Sequence, residues 1–491
     1  TPNSVVVSVK EMTRKEGKVP QIKIKENVIL GSIPLMVKSN KCVTSGMTKG
    51  QALNIGECTN DPGCYFIIKG GERSIITQEG LRTGMFMIWH NDETGKIEAR
   101  ITCVVDHGTT IVTMVPGSKW DTLKVGTYLT GKDRHIPLYV AFGFLGYNED
   151  NATNLIIHFI PKEYSFAALM YLQSCIIKGR SIGNNIVGYM MAKMAKQKTT
   201  LRNISKNANE VIEMMRNDLF PHVKSLHGKA RSLAYMAAQI IMILMGKREI
   251  DNRDSWAIKK VSVAGKMMEI KLNAIWTDII KSCQAKAESN SDGFSVFNSV
   301  ISSNTIATDF IKAFITSWTT KAGQKSEVVT DTVKRDTPLA MNSLITRLTA
   351  PSSRKGKKSS LREVSGSQTG ICCPSETPDG EGCGLVKNFA MTCNISLDRD
   401  ANDFYKAMKG ETKDPEFRDM PDITDYVEME FETEQFKDET DEDYHTRIYL
   451  IKEEKILEKF PYPIFINGVP AGWCKGKEVE AFLRRYRLFG L

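Results

Sequence analysis

The sequence contains no apolar run long enough to cross a bilayer. Its most apolar stretch, residues 233–245, is interrupted by Gln239 and falls short of the ~20 residues a spanning helix needs, so it reads as a buried helix. No secretory leader is read at the amino end. The eleven cysteines are scattered over 491 residues without the spacing of a disulfide framework, as expected of free thiols in a reducing compartment. Cys372, Cys373 and Cys383 lie close together but form no paired CxxC knuckles, which argues against a zinc site. No Ser/His/Asp arrangement and no acidic triad for a catalytic metal is recognisable. One near-motif fails on inspection. Residues 126–133 match the first seven positions of a phosphate-binding P-loop, but Asp133 occupies the position that must be Ser or Thr to hold Mg²⁺. The following His135-Ile136-Pro137 is a poor helix start for receiving phosphate.

The composition is otherwise that of an ordinary globular chain, with 41% hydrophobic and 25% charged residues. Its length allows roughly three domains at ~150 residues each. The formal net charge is +9. Residues 411–445 are strongly acidic and read as a solvated excursion, so the remaining body is more basic than the total suggests. Excess positive charge over a large body fits either a generically basic surface or a polyanionic partner such as nucleic acid.

The most informative stretch is residues 362–390. Gly366, Gly370, Pro374, Pro378, Gly380, Gly382 and Gly384 punctuate it too densely for a helix or a long strand. Ile371, Cys372, Leu385, Val386 and Phe389 give it apolar anchors at both ends. A glycine-rich loop pinned on both sides is held in one shape, and such loops carry function. Just before it, residues 349–362 place Arg354, Lys355, Lys357 and Lys358 around a glycine among serines. That segment can bury almost nothing. It reads as a solvated cationic loop of the kind that neutralises phosphates and makes binding salt-dependent.

The run Ile-Cys-Cys-Pro-Ser-Glu-Thr-Pro-Asp-Gly-Glu-Gly-Cys-Gly-Leu-Val-Lys-Asn, residues 371–388, resembles the "CP-ETP-G--CGLVKN" signature in the fork of the second-largest, beta-type subunit of multisubunit DNA-directed RNA polymerases. The likeness is to the eukaryotic, archaeal and large-DNA-virus branch. Further segments follow in family order. Gly31-Ser-Ile-Pro-Leu-Met-Val-Lys-Ser resembles a protrusion segment, and Cys64 to Glu79 resembles the "G-FI--G-E+-++-QE" hairpin. Asp133 to Tyr147 resembles the opening of the helical part of the lobe, and Phe220-Pro221-His222-Val223 the "LPH+" element. Lys247 to Gly265 resembles the "D-DDRDH--+KR++-AG" return, with Asn252 and Ser255-Trp256 departing from its usual residues. Tyr462 to Trp473 resembles the "V-+NG---G" segment.

The resemblance implies an α+β multidomain fold. A β-rich protrusion would occupy residues 1–96 and return, helically, at 244–335. A mixed α/β lobe would be inserted at 97–243. Fork helices and loops would follow at 336–392, then the start of a β-rich external region at 393–491. Local patterns predict strands at 21–25, 97–105 and 109–115, and hairpins around Gly70-Gly71 and Asn467-Gly468. Helices are expected at about 162–178, 183–197, 206–219, 229–246, 262–287, 306–322, 336–348 and 476–488, with a polar loop at 323–333. Met190, Met191, Met194, Met236, Met242 and Met245 read as core filler. Thr1 in place of a start methionine, and the basic helical run ending at Leu491, read as the edges of a piece of a longer chain.

Carried over residue by residue, the resemblance places Arg362 and Glu376 near the active centre. Arg335, Arg347, Arg354, Lys355, Lys357, Lys358 and Arg73 fall where the family meets nucleic acid. For Arg73 the alternative is a solvated hairpin charge. The implied activity is nucleotidyl transfer in template-directed transcription, as part of an assembly and not by this chain alone. Mg²⁺ would be bound mainly by the largest subunit. The implied partners are that subunit, other polymerase subunits, the rest of the second-largest subunit, template DNA, the RNA–DNA hybrid and NTPs, with no membrane. The implied location is intracellular: nucleus or cytoplasm, or a virion or viral factory for a viral member. The alternative reading is a non-catalytic, basic nucleic-acid-binding protein that keeps a polymerase-derived fold.

Overall fold

The computed structural model describes residues 3–13, 21–91, 95–105, 108–117, 122–127, 135–183, 208–289, 305–316, 318–321, 324–325, 329–350, 362–396, 401–402, 426–428, 462–474, 480 and 484. Two compact units emerge. One joins Thr1–Leu81 to Asp254–Asn394, and the other joins Arg82–Arg253 to Ile395–Leu491.

The chain opens the first unit with two long antiparallel strands, β1 (Asn3–Thr13) and β2 (Gln21–Ile33), whose register shifts twice. The predicted strand at 21–25 is the first half of β2. A short helix α1 (Lys49–Asn54) follows. It starts because Thr48 and Gln51 exchange side-chain and backbone hydrogen bonds in a capping box. Then β3 (Phe66–Ile68) and β4 (Gly71–Ile75) form the expected hairpin. The left-handed residues are Lys69 at φ 50° and Gly70 at φ 80°. Two positive φ values at the tip match the twist of the flanking strands. β5 (Thr77–Leu81) leaves that hairpin for another sheet.

The second unit begins with β6 (Met87–Asn91), β7 (Lys96–Val105), β8 (Gly108–Pro116), β9 (Leu123–Gly126) and β10 (Ile136–Pro137). They form one antiparallel sheet in simple sequential order. β7 shows why: Ile97, Ala99, Ile101 and Cys103 are buried while their neighbours are not, the period-two signature of a sheet with one face on a core. Helices α2 (Leu138–Phe144), α3 (Glu149–His158), α4 (Ser165–Gly183), α5 (Ala208–Asp218) and α6 (Leu226–Leu244) complete that core. The apolar run 233–245 is indeed helical through Leu244, with Met236 buried and Met242 and Met245 packed against the core. Met190, Met191, Met194 and the helix expected at 183–197 lie almost wholly outside the described residues.

On its return the chain makes β11 (Lys259–Ser262), α7 (Ala264–Ser289) and α8 (Thr305–Ile315) in the first unit. α8 lays Ile306, Phe310 and Phe314 on a core shared with Val28, Phe66 and Trp318. The helix expected to reach 322 ends at Ile315, and β12 (Thr319–Lys321) and β13 (Gln324–Lys325) are extended and paired. The loop expected at 323–333 also holds β14 (Thr330–Thr332), which adds to β4. α9 (Pro338–Ile345) begins with Thr337 capping the amide of Ala340 and Pro338 in the first turn. It ends before the expected 348, because β15 (Arg347–Thr349) pairs with β5 and with β16 (Val386–Asn388).

The second unit closes with β17 (Tyr426–Glu428), β18 (Tyr462–Ile466) and β19 (Val469–Cys474). The Asn467-Gly468 turn has φ 52° and 82°, as its dipeptide predicts. Of the helix expected at 476–488, only Glu480 and Arg484 are described, both helical and paired at 2.7 Å.

Candidate nucleic-acid interface

Four short strands from distant parts of the chain form the platform, in the order β11-β5-β15-β16. β15 runs parallel to β5 and antiparallel to β16. Trp256, Leu348 and Cys372 are buried together beside it, with Val261, Ile371 and Phe389 packed around them. This small apolar cluster anchors both ends of the 362–390 loop, as the sequence suggested. An isolated bridge joins Cys372 to Phe389, and the backbone of Cys373 donates to Asn388 at 2.9 Å.

The loop's shape is fixed by polar contacts. The Thr377 hydroxyl donates to the Val386 carbonyl and accepts from the Gly384 amide, both at 2.9 Å. Gly384 sits at φ 74°, and a Cβ there would lie 2.4 Å from the Arg362 carbonyl oxygen. Backbone conformation and close approach both demand glycine. The Arg362 guanidinium then donates to the carbonyls of Glu381 and Cys383, each at 2.8 Å. Arg362 therefore clips the loop closed through one nitrogen.

Glu376 stands exposed on the same loop. Its Oε1 accepts from the Ser343 hydroxyl at 2.6 Å, a short contact typical of a hydroxyl donating to a charged carboxylate. Ser343 in turn accepts from Asn388 Nδ2 at 3.0 Å.

Beneath the loop lies a buried charge cluster. Glu79 on β5 accepts from Lys259 of β11 at 2.5 Å and from Lys387 of β16 at 3.1 Å. All three side chains are nearly buried. Both ammonium groups lie over the Trp256 ring, 5.3 and 5.5 Å from its centroid, within cation–π range. Two ammonium groups thus share one buried carboxylate and one aromatic face. Burial pushes the neighbouring Cys372 thiol up to about 11, despite the opposing Lys387 charge, so it stays protonated.

The remaining sequence-predicted residues divide into three groups. Arg335 is clamped between two carboxylates. Its Nε and one terminal nitrogen reach Glu72 at 2.8 and 2.9 Å, the same terminal nitrogen reaches Asp61 at 2.8 Å, and it covers the Tyr65 ring at 5.2 Å. Those pairings hold the guanidinium far above its ordinary pKa. Burial, then the Asp61 hydrogen bond and charge, push the Tyr65 phenol up to about 12. Asp61 stays below the usual carboxylate range: burial opposes ionisation, but the Gly63 amide, Arg335 and Tyr65 outweigh it. Arg347 makes a long contact of 3.4 Å to Asp331 and stays half-buried. Arg73, half-buried on β4, makes no ion pair among the described residues. Arg354, Lys355, Lys357 and Lys358 lie outside the described residues. Glu79, Lys259, Ser343 and Asp61 drew no attention in the sequence, because their partners are distant in the chain. Lys387 and Asn388 stood within the motif, but nothing local marks them as buried. Among the described residues, no three His, Cys, Asp or Glu side chains are placed to hold a metal ion.

Comparison with known proteins gives the family. Residues 3–307 match the family described as RNA polymerase beta subunit, and residues 331–395 match RNA polymerase Rpb2, domain 3. The chain is 28% identical over 394 residues to the DNA-directed RNA polymerase subunit Rpo2N of Methanocaldococcus jannaschii, covering 78% of this chain and 76% of that protein. It is 24% identical to the DNA-directed RNA polymerase III subunit RPC2 and to the DNA-directed RNA polymerase II subunit RPB2 of Schizosaccharomyces pombe. Those matches cover 79% and 75% of this chain but only 34% and 32% of the yeast proteins, so the chain spans about a third of their length. With more than half of its residues inside one matching family, and residues 331–395 inside a second RNA polymerase family, the chain belongs to the RNA polymerase beta-subunit family.

Proposed function

We propose that this chain is the protrusion, lobe and fork portion of the second-largest subunit of a DNA-directed RNA polymerase and takes part in template-directed transcription. The observation that carries the proposal is the 362–390 loop. It is locked by Thr377, Gly384 and Arg362, and it presents the Glu376 carboxylate on its exposed side. A side chain held at a fixed place by a locked loop can position reacting partners in an active centre.

In this reading the RNA 3′-hydroxyl attacks the α-phosphate of an NTP, and pyrophosphate leaves, at an interface with the largest subunit. Mg²⁺ belongs to carboxylates of that subunit. This chain supplies positioning. Arg362 and Glu376 lie beside the reacting groups. Arg354, Lys355, Lys357 and Lys358 follow the downstream DNA backbone, while Arg347 and Arg73 approach the RNA–DNA hybrid or duplex. Arg335, neutralised by Asp61 and Glu72, is assigned to anchoring the entry to α9 and not to binding phosphate. The remaining partners are the other polymerase subunits and the rest of the second-largest subunit, in an intracellular compartment.

The test uses the reconstituted polymerase. Arg362→Ala or Glu376→Ala should slow nucleotide addition while the complex assembles. Normal elongation by both variants would refute the active-centre assignment.

A further inference from the structure

We infer that Ser343, oriented by Asn388, is a positioning residue for the Glu376 carboxylate. The inference rests on the proposed role of Glu376 in nucleotide addition. An exposed glutamate on a loop ordinarily samples many rotamers, and fixing one costs entropy. Here a contact of 2.6 Å from a helix-borne hydroxyl removes that freedom.

The hydroxyl has one proton to give and two lone pairs to offer. Asn388 donates to Ser343 at 3.0 Å, which leaves the Ser343 proton directed at Glu376. Asn388 is 4% exposed and held on β16 by the pairing with Arg347. Its side-chain Oδ1 is buried without a partner among the described residues. An apolar residue at 388 would avoid that orphaned acceptor but could not donate to Ser343. The chain from sheet to amide to hydroxyl to carboxylate thus transfers the rigidity of the platform to the loop. α9 contributes a second rigid support, since its first turn is capped by Thr337 and its Met341 and Leu344 are buried. Sites built on such elements are more precise than sites carried by loops alone.

The measurement is a double-mutant cycle in the fully assembled polymerase, with hydrogen exchange of residues 373–384 as a second readout. Ser343→Ala should lower the NTP-saturated elongation rate by about three- to tenfold, the range expected for losing one ordinary hydrogen bond at an exposed site. Ser343→Thr, which keeps the hydroxyl, should restore it. On a Glu376→Ala background, Ser343→Ala should add nothing, because the group it positions is gone. An unchanged rate in Ser343→Ala alongside a slow Glu376→Ala enzyme, or multiplicative effects in the double variant, would overturn the inference. If Glu376→Ala itself elongates normally, the proposed role of Glu376 fails, and exchange decides the relay. Faster exchange across 373–384 in Ser343→Ala, and not in Ser343→Thr, upholds the relay, and unchanged protection refutes it.

Discussion

The β10-β9-β8-β7-β6 sheet and the β11-β5-β15-β16 sheet are built from different material. In the first, β7 turns Ile97, Ala99, Ile101 and Cys103 inward, and the facing positions Val112, Met114, Leu123 and Val125 are equally apolar. Its strands follow one another in sequence. In the second, four short strands arrive from four distant segments, and they bury Glu79, Lys387, Asn388 and Thr349. An apolar sheet tolerates volume-conserving change and carries little pH dependence. A sheet containing a carboxylate between two ammonium groups tolerates neither loss of charge nor loss of register, since an unpaired buried ion is costly. The second sheet therefore trades tolerance for fixed placement, the quality its exposed loop requires.

Breaking the charge cluster of the second sheet should show the contrast most strongly. Glu79→Ala removes the buried carboxylate that Lys259 and Lys387 share, and should destabilise the unit by about 3–5 kcal/mol. Ile101→Val in the first sheet should cost only about 0.5–1.5 kcal/mol. Thermal or denaturant unfolding of both variants measures the pair.

Next in size is the Arg335 clamp. Asp61→Asn removes one charge partner and should cost about 1–3 kcal/mol near neutral pH. The sign of its pH dependence follows from the depressed Asp61 pKa. The carboxylate's contribution is fully present above the unfolded-state value of about 3.9 and is lost as pH falls through the lower folded value. The difference between wild type and Asp61→Asn should therefore shrink on acidification through that window. A gap that stayed constant from neutral to strongly acid pH would show that ionisation is not what matters at Asp61.

How much of this was legible in the sequence depends on the range of the interaction. The 362–390 loop was, because Pro378, Gly380 and Gly384 punctuate it locally and Leu385 and Val386 pin it. The Asn467-Gly468 turn was legible for the same reason. The end of α9 was not: Leu348 continues a helical apolar spacing, yet pairing with β5 and β16 draws Arg347–Thr349 into a strand. Tertiary context overrode local preference. The Glu79–Lys387 contact joins positions 308 residues apart, and no window of sequence contains it. Arg335 sat in a recognised segment, but its carboxylate partners Asp61 and Glu72 lie more than 260 residues away, so its charge read as available.

The smallest effect on stability should come from the basic segment 354–358. Replacing Arg354, Lys355, Lys357 and Lys358 together with Ala should leave unfolding unchanged. In the assembled polymerase it should flatten the log K against log salt slope for DNA by up to a few units, at about 0.9 per phosphate contact. An unchanged slope would remove those four residues from the DNA path.

The central claim is that the β11-β5-β15-β16 platform and its loop divide their labour between a buried carboxylate that holds shape and an exposed one that acts. One experiment sets Glu79→Ala beside Glu376→Ala and records melting temperature and elongation rate for each. The account predicts a marked drop in melting temperature for Glu79→Ala, and a wild-type melting temperature with slowed elongation for Glu376→Ala. A destabilised Glu376→Ala, or a Glu79→Ala variant as stable as wild type, would contradict it.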